Sequence, residues 1–538
     1  LTIKPGKLYK IDGCYPSFNM PDKSIKTYGI FKISVLKTFQ ICPSVNPEEL
    51  ALYLPIRYNE PMDASSNSYL SRINSWCKRG KSFDLAVITH YLQNYTQNIS
   101  AGYSGEAVRI FDNYSMHNFI EHGEPDNGSD LLAILLDEGV KVPFPSPKQP
   151  SFTFIDLFAG IGGFRLAMQE LNGKCVFSSE WNTESQATYM VNFGEFPFGD
   201  ITLQEVKDLI PYGFDLLCAG FPCQPFSKGG HRQGFDDTRG TLFFDICQIV
   251  MKHRPKFLLL ENVANLAGHD GGNTYSVITR SLDELGYYFP RNPMILSPDK
   301  FGVPILRPRL YIPCVRKDLA AGKEDFIWNF EEEIWKHPSE NQLTVNDIVD
   351  SNVDDCISPY EEKVLTAWDE FYRGIDQKVI GFPVWMDFFR FEGDLSQFPV
   401  WKATFIRKNI DLYRRNRSFI DKWLAKWDNL EWCSKTHRKF EWQAGDGYSS
   451  LFDCLIQFRP SGIRVKRPDK FSTLVAMNHR QIIGRFRRRI SVEETKLLQS
   501  FPKEYNLIGP PATALRQLGN SVNVRVVKNI FGLVIKNF

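Results

Sequence analysis

What most constrains the fold of this chain is a strand and helix rhythm in its middle. Residues 152–158, 174–179, 215–219, 257–260 and 310–315 are short apolar runs that read as strands, and residues 163–171, 184–192, 242–252 and 277–285 carry helical spacing between them. Strands separated by helix-length segments cannot close as hairpins. Each connection has to cross a face of the sheet, so the pattern predicts an α/β fold with a parallel sheet covered by helices on both sides. Just before it, four prolines within residues 142–150 predict an extended linker. After about residue 320 the rhythm stops, and a Trp- and Phe-rich stretch with a helix-like segment over 402–426 predicts a separate domain. Residues 1–141 carry no motif that ties them to chemistry and read as an N-terminal accessory region.

The first strand runs into Phe158-Ala-Gly-Ile-Gly-Gly-Phe164 and then a helix. Glycines such as Gly160 and Gly162 let a backbone approach a ligand closely, and the helix start offers unpaired N–H groups, the setting of a nucleoside cofactor. The dinucleotide fingerprint is not met, because Arg165 stands where its third glycine would be, which disfavours hydride transfer. A tight structural turn is the plain alternative for the loop alone. Two acids follow at strand ends. Glu180 is placed to accept from ribose hydroxyls with Trp181 offering a flat face to a base, and Asp200, next to Ile201, is placed to accept from an amino group.

The third strand ends in Gly220-Phe-Pro-Cys-Gln-Pro-Phe-Ser227, which sets Cys223 just beyond the carboxyl edge of the sheet, where open α/β sheets bind ligands. A single cysteine is more often a buried apolar residue. Here it sits beside a Gly229-Gly230 loop, positioned as a nucleophile if its thiol is acidified. The next strand delivers Glu261 to the same edge. A thiol with a carboxyl group and no histidine suits attack on an electron-poor ring whose nitrogen is protonated, better than amide hydrolysis. Arg307 and Arg309, before the last strand, suit a carbonyl oxygen or a phosphate.

Taken in order, these segments resemble the C5-cytosine DNA methyltransferase family, in particular its bacterial members. The resemblance is carried by 154–164, Glu180-Trp181, Asp200-Ile201, 220–227, Arg239 to Asp245, Glu261-Asn262-Val263, Arg307-Pro-Arg309, 461–477 and Gly519-Asn-Ser-Val522, and it covers about half of the chain. It implies a Rossmann-like S-adenosylmethionine-dependent methyltransferase sheet over 151–320, completed by 508–538, with a target-recognition domain over 321–507. It also implies a mechanism in which Cys223 adds to C6 of a flipped-out cytosine, Glu261 engages N3, and Arg307 and Arg309 position the base. Implied cofactor contacts are Phe158, Gly160, Gly162, Glu180, Trp181, Asp200, Ile201, Asn520 and Val522. Implied DNA contacts are Ser227, Arg239, Arg464, Lys466, Arg485 and Arg487. One position departs from the family pattern: Ile305 stands where the family usually has Gln.

Charge adds a direction to this reading. The formal net charge is only +2, yet residues 456–538 carry +12 while 331–455 carry −7. Arg485, Arg487, Arg488 and Arg489, with the stretch Lys402, Arg407, Lys408, Arg414, Arg415 and Arg417, are expected to line a DNA cleft. The 11 cysteines form no CxxC pair, so neither a disulfide framework nor a metal site is expected, and no apolar run is long enough for a membrane span. The expected partner is double-stranded DNA, bound by a monomer, with a cognate restriction or defence system, in the bacterial cytoplasm at the nucleoid. A tRNA methyltransferase of the same fold and a catalytically silent DNA-binding homologue are the alternatives.

Overall fold

The computed structural model describes residues 82–94, 102–111, 142–222, 242–337, 342–376, 380–474 and 480–538. Two helices, α1 (Ser82–Asn94) and α2 (102–111), precede strand β1 (Phe152–Leu157). Helix α3 (Gly163–Glu170) leads to β2 (Gly173–Ser179), and α4 (Thr183–Phe193) toward β3 (Leu216–Gly220). Helix α5 (Leu242–His253) precedes β4 (Phe257–Val263), which is followed by α6 (Asn273–Glu284). Strands β1 to β4 are parallel, in the order β2-β1-β3-β4. Their near-continuous apolar sequences follow from burial on both faces, and β2 buries all seven of its residues.

The sheet is not parallel throughout, which corrects the sequence expectation. After α6 come β5 (Tyr287–Tyr288), β6 (Met294–Leu296) and β7 (Arg309–Arg316). Strand β7 runs antiparallel to β4, and β5 and β6 pair antiparallel along its other side. Strand and helix alternation reports that a helix precedes a strand, not the direction in which the strand enters, and β5 and β6 are too short to show as apolar runs. The reversal has a functional consequence. β7 begins at the edge where the parallel strands end, so Arg309 lies across from Val263, diagonal to Glu261.

Strand β2 is the outer strand of this order, and side chains from α1 and α2 complete its hydrogen bonding. The Ser178 N–H donates to His90 Nε2 at 3.0 Å, and the Tyr103 hydroxyl donates to the Val176 carbonyl at 3.1 Å. The Phe198 N–H donates to the Ser178 carbonyl at 2.9 Å.

The second sheet belongs to a core of its own. Helix α7 (Pro359–Gly374), β8 (Val384–Trp385), α8 (Val400–Arg415) and α9 (Arg417–Lys426) are followed by β9 (Lys439–Gln443), β10 (Leu455–Arg459), β11 (Gly462–Lys466), β12 (Ile482–Ile483) and β13 (Arg488–Arg489). The strand order is β13-β12-β10-β11-β9-β8, and Trp368, Trp423, Phe440 and Trp442 lie at the centre of the core. The helical stretch expected over 402–426 is two helices. Asn416 separates them, donating from Nδ2 to Asp376 Oδ1 at 2.8 Å and to the Leu412 carbonyl at 3.1 Å.

The chain then returns to the first unit through α10 (Val492–Leu498), α11 (Pro511–Asn520) and α12 (Val524–Asn537). Phe531 of α12 meets Phe152 and Phe257 with ring centroids 5.2 and 5.8 Å away, so one core joins the first strands to the last helix. A smaller apolar cluster, with Val303 and Ile305 on one side and Leu455, Phe471 and Ile483 on the other, closes the seam between the two sheets.

Candidate active site

Among the described residues, Gly160, Glu180 and Glu261 lie at the carboxyl edge of the parallel strands. The turn after β1 holds Phe158, Gly160 and Gly162 at φ of 55°, 55° and 82°. At Gly162 a side chain is excluded twice over, by φ and because a Cβ would lie 2.3 Å from the Phe193 ring. At Gly160 a Cβ would meet nothing within 4 Å, so the space above this turn is open. Arg165 is the next residue to explain. It is buried, with Nη1 donating to Glu195 Oε1 at 2.7 Å and Nε to Gln169 Oε1 at 2.7 Å. The absent third glycine is therefore a buried ion pair behind the loop.

Glu180 closes β2 beside that turn. Its Oε2 accepts from the Gly160 N–H at 2.8 Å and its Oε1 from the Asn182 N–H at 2.7 Å. Burial raises its pKa, opposed by these main-chain N–H groups. Trp181 beside it is 78% exposed, Asp200 is exposed with Oδ1 on the Thr202 N–H, and Ile201 is buried. Asn520 is exposed and Val522 buried, the latter 2.8 Å from where a Gly163 Cβ would lie. Sequence reasoning passed over Asp156. It is fully buried, neither carboxyl oxygen meets a hydrogen-bond partner, and burial pushes its pKa far up. The one available signal was an acid inside an otherwise apolar strand.

These groups fit S-adenosylmethionine. An open glycine turn, carboxyl groups at 180 and 200 and an exposed indole match a cationic nucleoside that carries a ribose diol and a flat base.

Two strands further along, Gly220 of β3 pairs with Glu261 of β4, and a Cβ on Gly220 would approach Glu261 Oε2 to 3.4 Å. Burial raises the Glu261 pKa, against the pull of Arg309 and Arg307. Arg309 Nε lies 3.3 Å from Glu261 Oε1. Asn262, another residue given no role by the sequence, donates from Nδ2 to the Phe221 carbonyl at 2.8 Å and so fixes the start of the segment that leads to Cys223. Cys223, Ser227 and Arg239 lie outside the described residues.

Arg307 takes a place that its predicted catalytic role did not anticipate. It is 2% exposed, and its guanidinium donates to the carbonyls of Leu474 (2.9 Å), Gly519 (2.6 Å) and Ser521 (2.9 Å). Burial lowers its pKa to about 10. It ties the strand end to the segments around 474 and 520.

In the arginine run 485–489, expected to line a DNA cleft, three members meet carboxylates of this chain. Arg488 is buried on Glu494 at 2.6 and 3.0 Å, Arg487 pairs with Glu362, and Arg489 pairs with Glu361. Arg485 is exposed, 4.7 Å from the Phe486 ring centre. Arg464 Nε holds Glu441 at 2.7 Å, and Lys466 is half-buried with its pKa lowered by burial. Most of this positive charge fastens residues 350–362 and 441 to their neighbours.

The profile of the family described as C-5 cytosine-specific DNA methylase matches residues 152–536. The chain is similar to the type II methyltransferase M.AluI of Cellulosimicrobium cellulans, 30% identical over 480 residues, which spans 72% of this chain and 92% of that protein. It is 59% identical over 162 residues to M.HpaII of Haemophilus parainfluenzae, covering 30% of this chain and 45% of the relative. With M.HhaI of Haemophilus parahaemolyticus it shares 44% over 215 residues, 40% of this chain and 62% of the relative. The chain thus spans about half the length of M.HpaII and under two thirds of M.HhaI.

Proposed function

The chain belongs to the C-5 cytosine-specific DNA methylase family, and we propose that it methylates C5 of a cytosine within a specific sequence of duplex DNA. The observation that carries this reading is the pairing of Gly220 with Glu261. It brings a buried carboxyl group, its pKa raised, beside the strand end three residues before Cys223, with Arg309 at 3.3 Å.

In this mechanism the cytosine leaves the helix, at a cost of about a few kcal/mol of pairing and stacking. The Cys223 thiolate forms a bond to C6, and the C5–C6 π electrons are drawn toward N3, where the protonated Glu261 carboxyl group donates its hydrogen bond. Arg309 holds Glu261 from the side and offers its remaining N–H groups to the base. S-adenosylmethionine, when bound, supplies an electrophilic methyl group to C5. A base then removes the C5 proton, the C5–C6 double bond re-forms, and the thiolate leaves. Glu180 holds the cofactor edge, and Asn262 anchors the Phe221 carbonyl two residues before Cys223. Arg307 acts as a positioning residue that aligns Arg309 through the carbonyls of 474, 519 and 521.

Residues 321–507 act as the target-recognition domain, residues 151–320 with 508–538 as the catalytic domain, and the protein works as a monomer on DNA. The type II relatives support a place beside a cognate restriction activity, and the protein acts in the cytoplasm at the nucleoid. Among the described residues no helix is long and apolar enough to cross a membrane.

Methyl transfer to duplex DNA and to tRNA, assayed side by side, tests the substrate: activity confined to tRNA overturns it. A duplex containing 5-fluorocytosine, incubated with cofactor, is expected to form a covalent adduct with the wild type and none with Cys223→Ala. An adduct that persists in that variant removes Cys223 as the nucleophile.

A further inference from the structure

Arg487, Arg488 and Arg489 each meet a carboxylate, which leaves fewer unpaired cations in the C-terminal segment. Helix α8 presents others. At 100° per residue, Ala403, Ile406, Asn409, Leu412 and Tyr413 face inward and are buried. The opposite face carries Val400, Trp401, Arg407, Lys408 and Arg414, all exposed, with Val400 84% and Trp401 61% accessible. Trp401 touches the helix's own Phe405 edge-on at 6.4 Å and lies outside the aromatic core.

Two observations separate this stripe from an ordinary solvated face. First, the surrounding segment is acidic, −7 over 331–455, and other arginines in it are paired: Arg373 with Asp369, Arg390 and Arg417 with Asp421, Arg438 with Asp387. Among the described residues Arg407 and Lys408 show no carboxylate partner, and Arg414 reaches Asp411 only at 3.9 Å across solvent. Second, the same face begins with two large apolar side chains that stay accessible, Val400 at 84% and Trp401 at 61%, which an ordinary solvated face does not carry.

We propose that the exposed face of α8 docks on the sugar-phosphate backbone of duplex DNA, with Arg407, Lys408 and Arg414 on phosphates and Trp401 with Val400 against deoxyribose. The proposal rests on duplex DNA being the substrate. It assigns affinity to α8, and sequence choice to other groups, because phosphate contacts position a protein without reading bases.

The test uses the full chain with Arg407→Gln, Lys408→Gln and Arg414→Gln combined, and Trp401→Ala separately. Binding to a duplex of arbitrary sequence is measured across a salt series, and methyl transfer on unmethylated plasmid DNA. Three lost phosphate contacts flatten the slope of log affinity against log salt by about 2.7, so the loss of affinity between about 50 and 200 mM salt shrinks roughly 40-fold. The rate at saturating DNA and the sites methylated stay unchanged, and Trp401→Ala weakens binding without changing the slope. The substituted side chains are exposed, so the melting temperature stays at the wild-type value, and the single Arg407→Glu variant weakens binding in the same direction. A triple variant with the wild-type slope and affinity overturns the proposal and leaves the stripe to an acidic protein partner. A wild type that neither binds nor methylates duplex DNA overturns the functional reading as well, which tells the two failures apart.

Discussion

Glu261 and Arg307 both neighbour Arg309, the first across an ion pair of 3.3 Å and the second two residues before it in the chain, yet burial assigns them opposite work. Glu261 keeps one oxygen toward the open edge by Gly220, and its raised pKa keeps a proton available for a ring nitrogen. Glu261→Gln is expected to lower methyl transfer by about 10² to 10⁴ while DNA binding is retained, which single-turnover kinetics with a gel-shift control would check. Arg307 is committed through Nη1 and Nη2 to three carbonyls. Replacing it with Met strands those acceptors, and the expected loss is on the order of 3–5 kcal/mol of stability. Denaturant unfolding then reports the change directly, and activity falls in proportion to the folded fraction. A fully folded Arg307→Met protein without activity would mean that Arg307 acts through the alignment of Arg309 rather than through stability. The sequence could not separate these roles, because Arg307-Pro-Arg309 reads as one fork. What splits it is distant in sequence: Arg309, the first residue of β7, meets Glu261, and Arg307, just before the strand, meets carbonyls more than 160 residues away.

At the scale of elements, the legible parts were those whose chemistry is local in sequence. A strand, a tight turn and a helix start sit within ten residues of one another, so the positions of Gly160, Glu180 and Glu261 at the sheet edge could be read directly. The direction of β7 and the completion of β2 by α1 depend on distant partners. His90 shows the second case. Its Nε2 accepts from the Ser178 N–H at 3.0 Å and its Nδ1 faces the Ala86 carbonyl at 2.8 Å, an arrangement that requires the neutral ring protonated on Nδ1. Burial lowers its pKa below 6.5, outweighing the attraction of Glu195 at 3.3 Å, while Arg165 pushes the same way as burial. The unfolded chain therefore binds a proton as pH falls through about 6.5 and the folded chain does not, so His90's contribution is complete above that pH and is lost as pH drops toward the lower folded value. Glu195, whose carboxyl is held below 4.5 chiefly by Arg165 against burial, adds a second loss only at lower pH. His90→Ala is expected to cost about 2–4 kcal/mol at neutral pH, since Ser178 loses its acceptor and a cavity opens. It should also flatten the decline between about pH 6.5 and 5, read by thermal unfolding at several pH values. An unchanged acid limb would remove His90 as its source.

For the whole molecule the question is how two cores act as one enzyme. The neutral total of +2 and the basic C-terminal segment turned out to describe fastening as much as DNA binding, because Arg487, Arg488 and Arg489 join the returning chain to acids at 361, 362 and 494. Their partners lie up to 128 residues away, so no segment count could reveal them. The apolar seam completes the join. Ile305 is fully buried against Val303, Leu455 and Ile483, and it bridges in parallel to Phe471, whose N–H donates to the Pro304 carbonyl at 2.8 Å. The departure from the family's Gln thus has a physical setting, since the site offers an amide few partners. Ile305→Gln buries an amide in this cluster at a cost of about 1–3 kcal/mol, added to the lost apolar contacts. That cost falls on the seam, while the cores around Phe154 and Trp368 are untouched. Calorimetry should therefore resolve one cooperative transition of the wild type into two in Ile305→Gln. Arg307 and Arg309 follow the seam by two and four residues, whereas the Gly160 and Glu180 edge lies at the far side of the sheet. The variant should accordingly lose kcat/KM for DNA with its affinity for S-adenosylmethionine unchanged, measured by equilibrium binding of the cofactor. Equal loss of both would mean that the seam supports the whole sheet, and a single unshifted transition would mean that the two cores are coupled by the ion pairs alone.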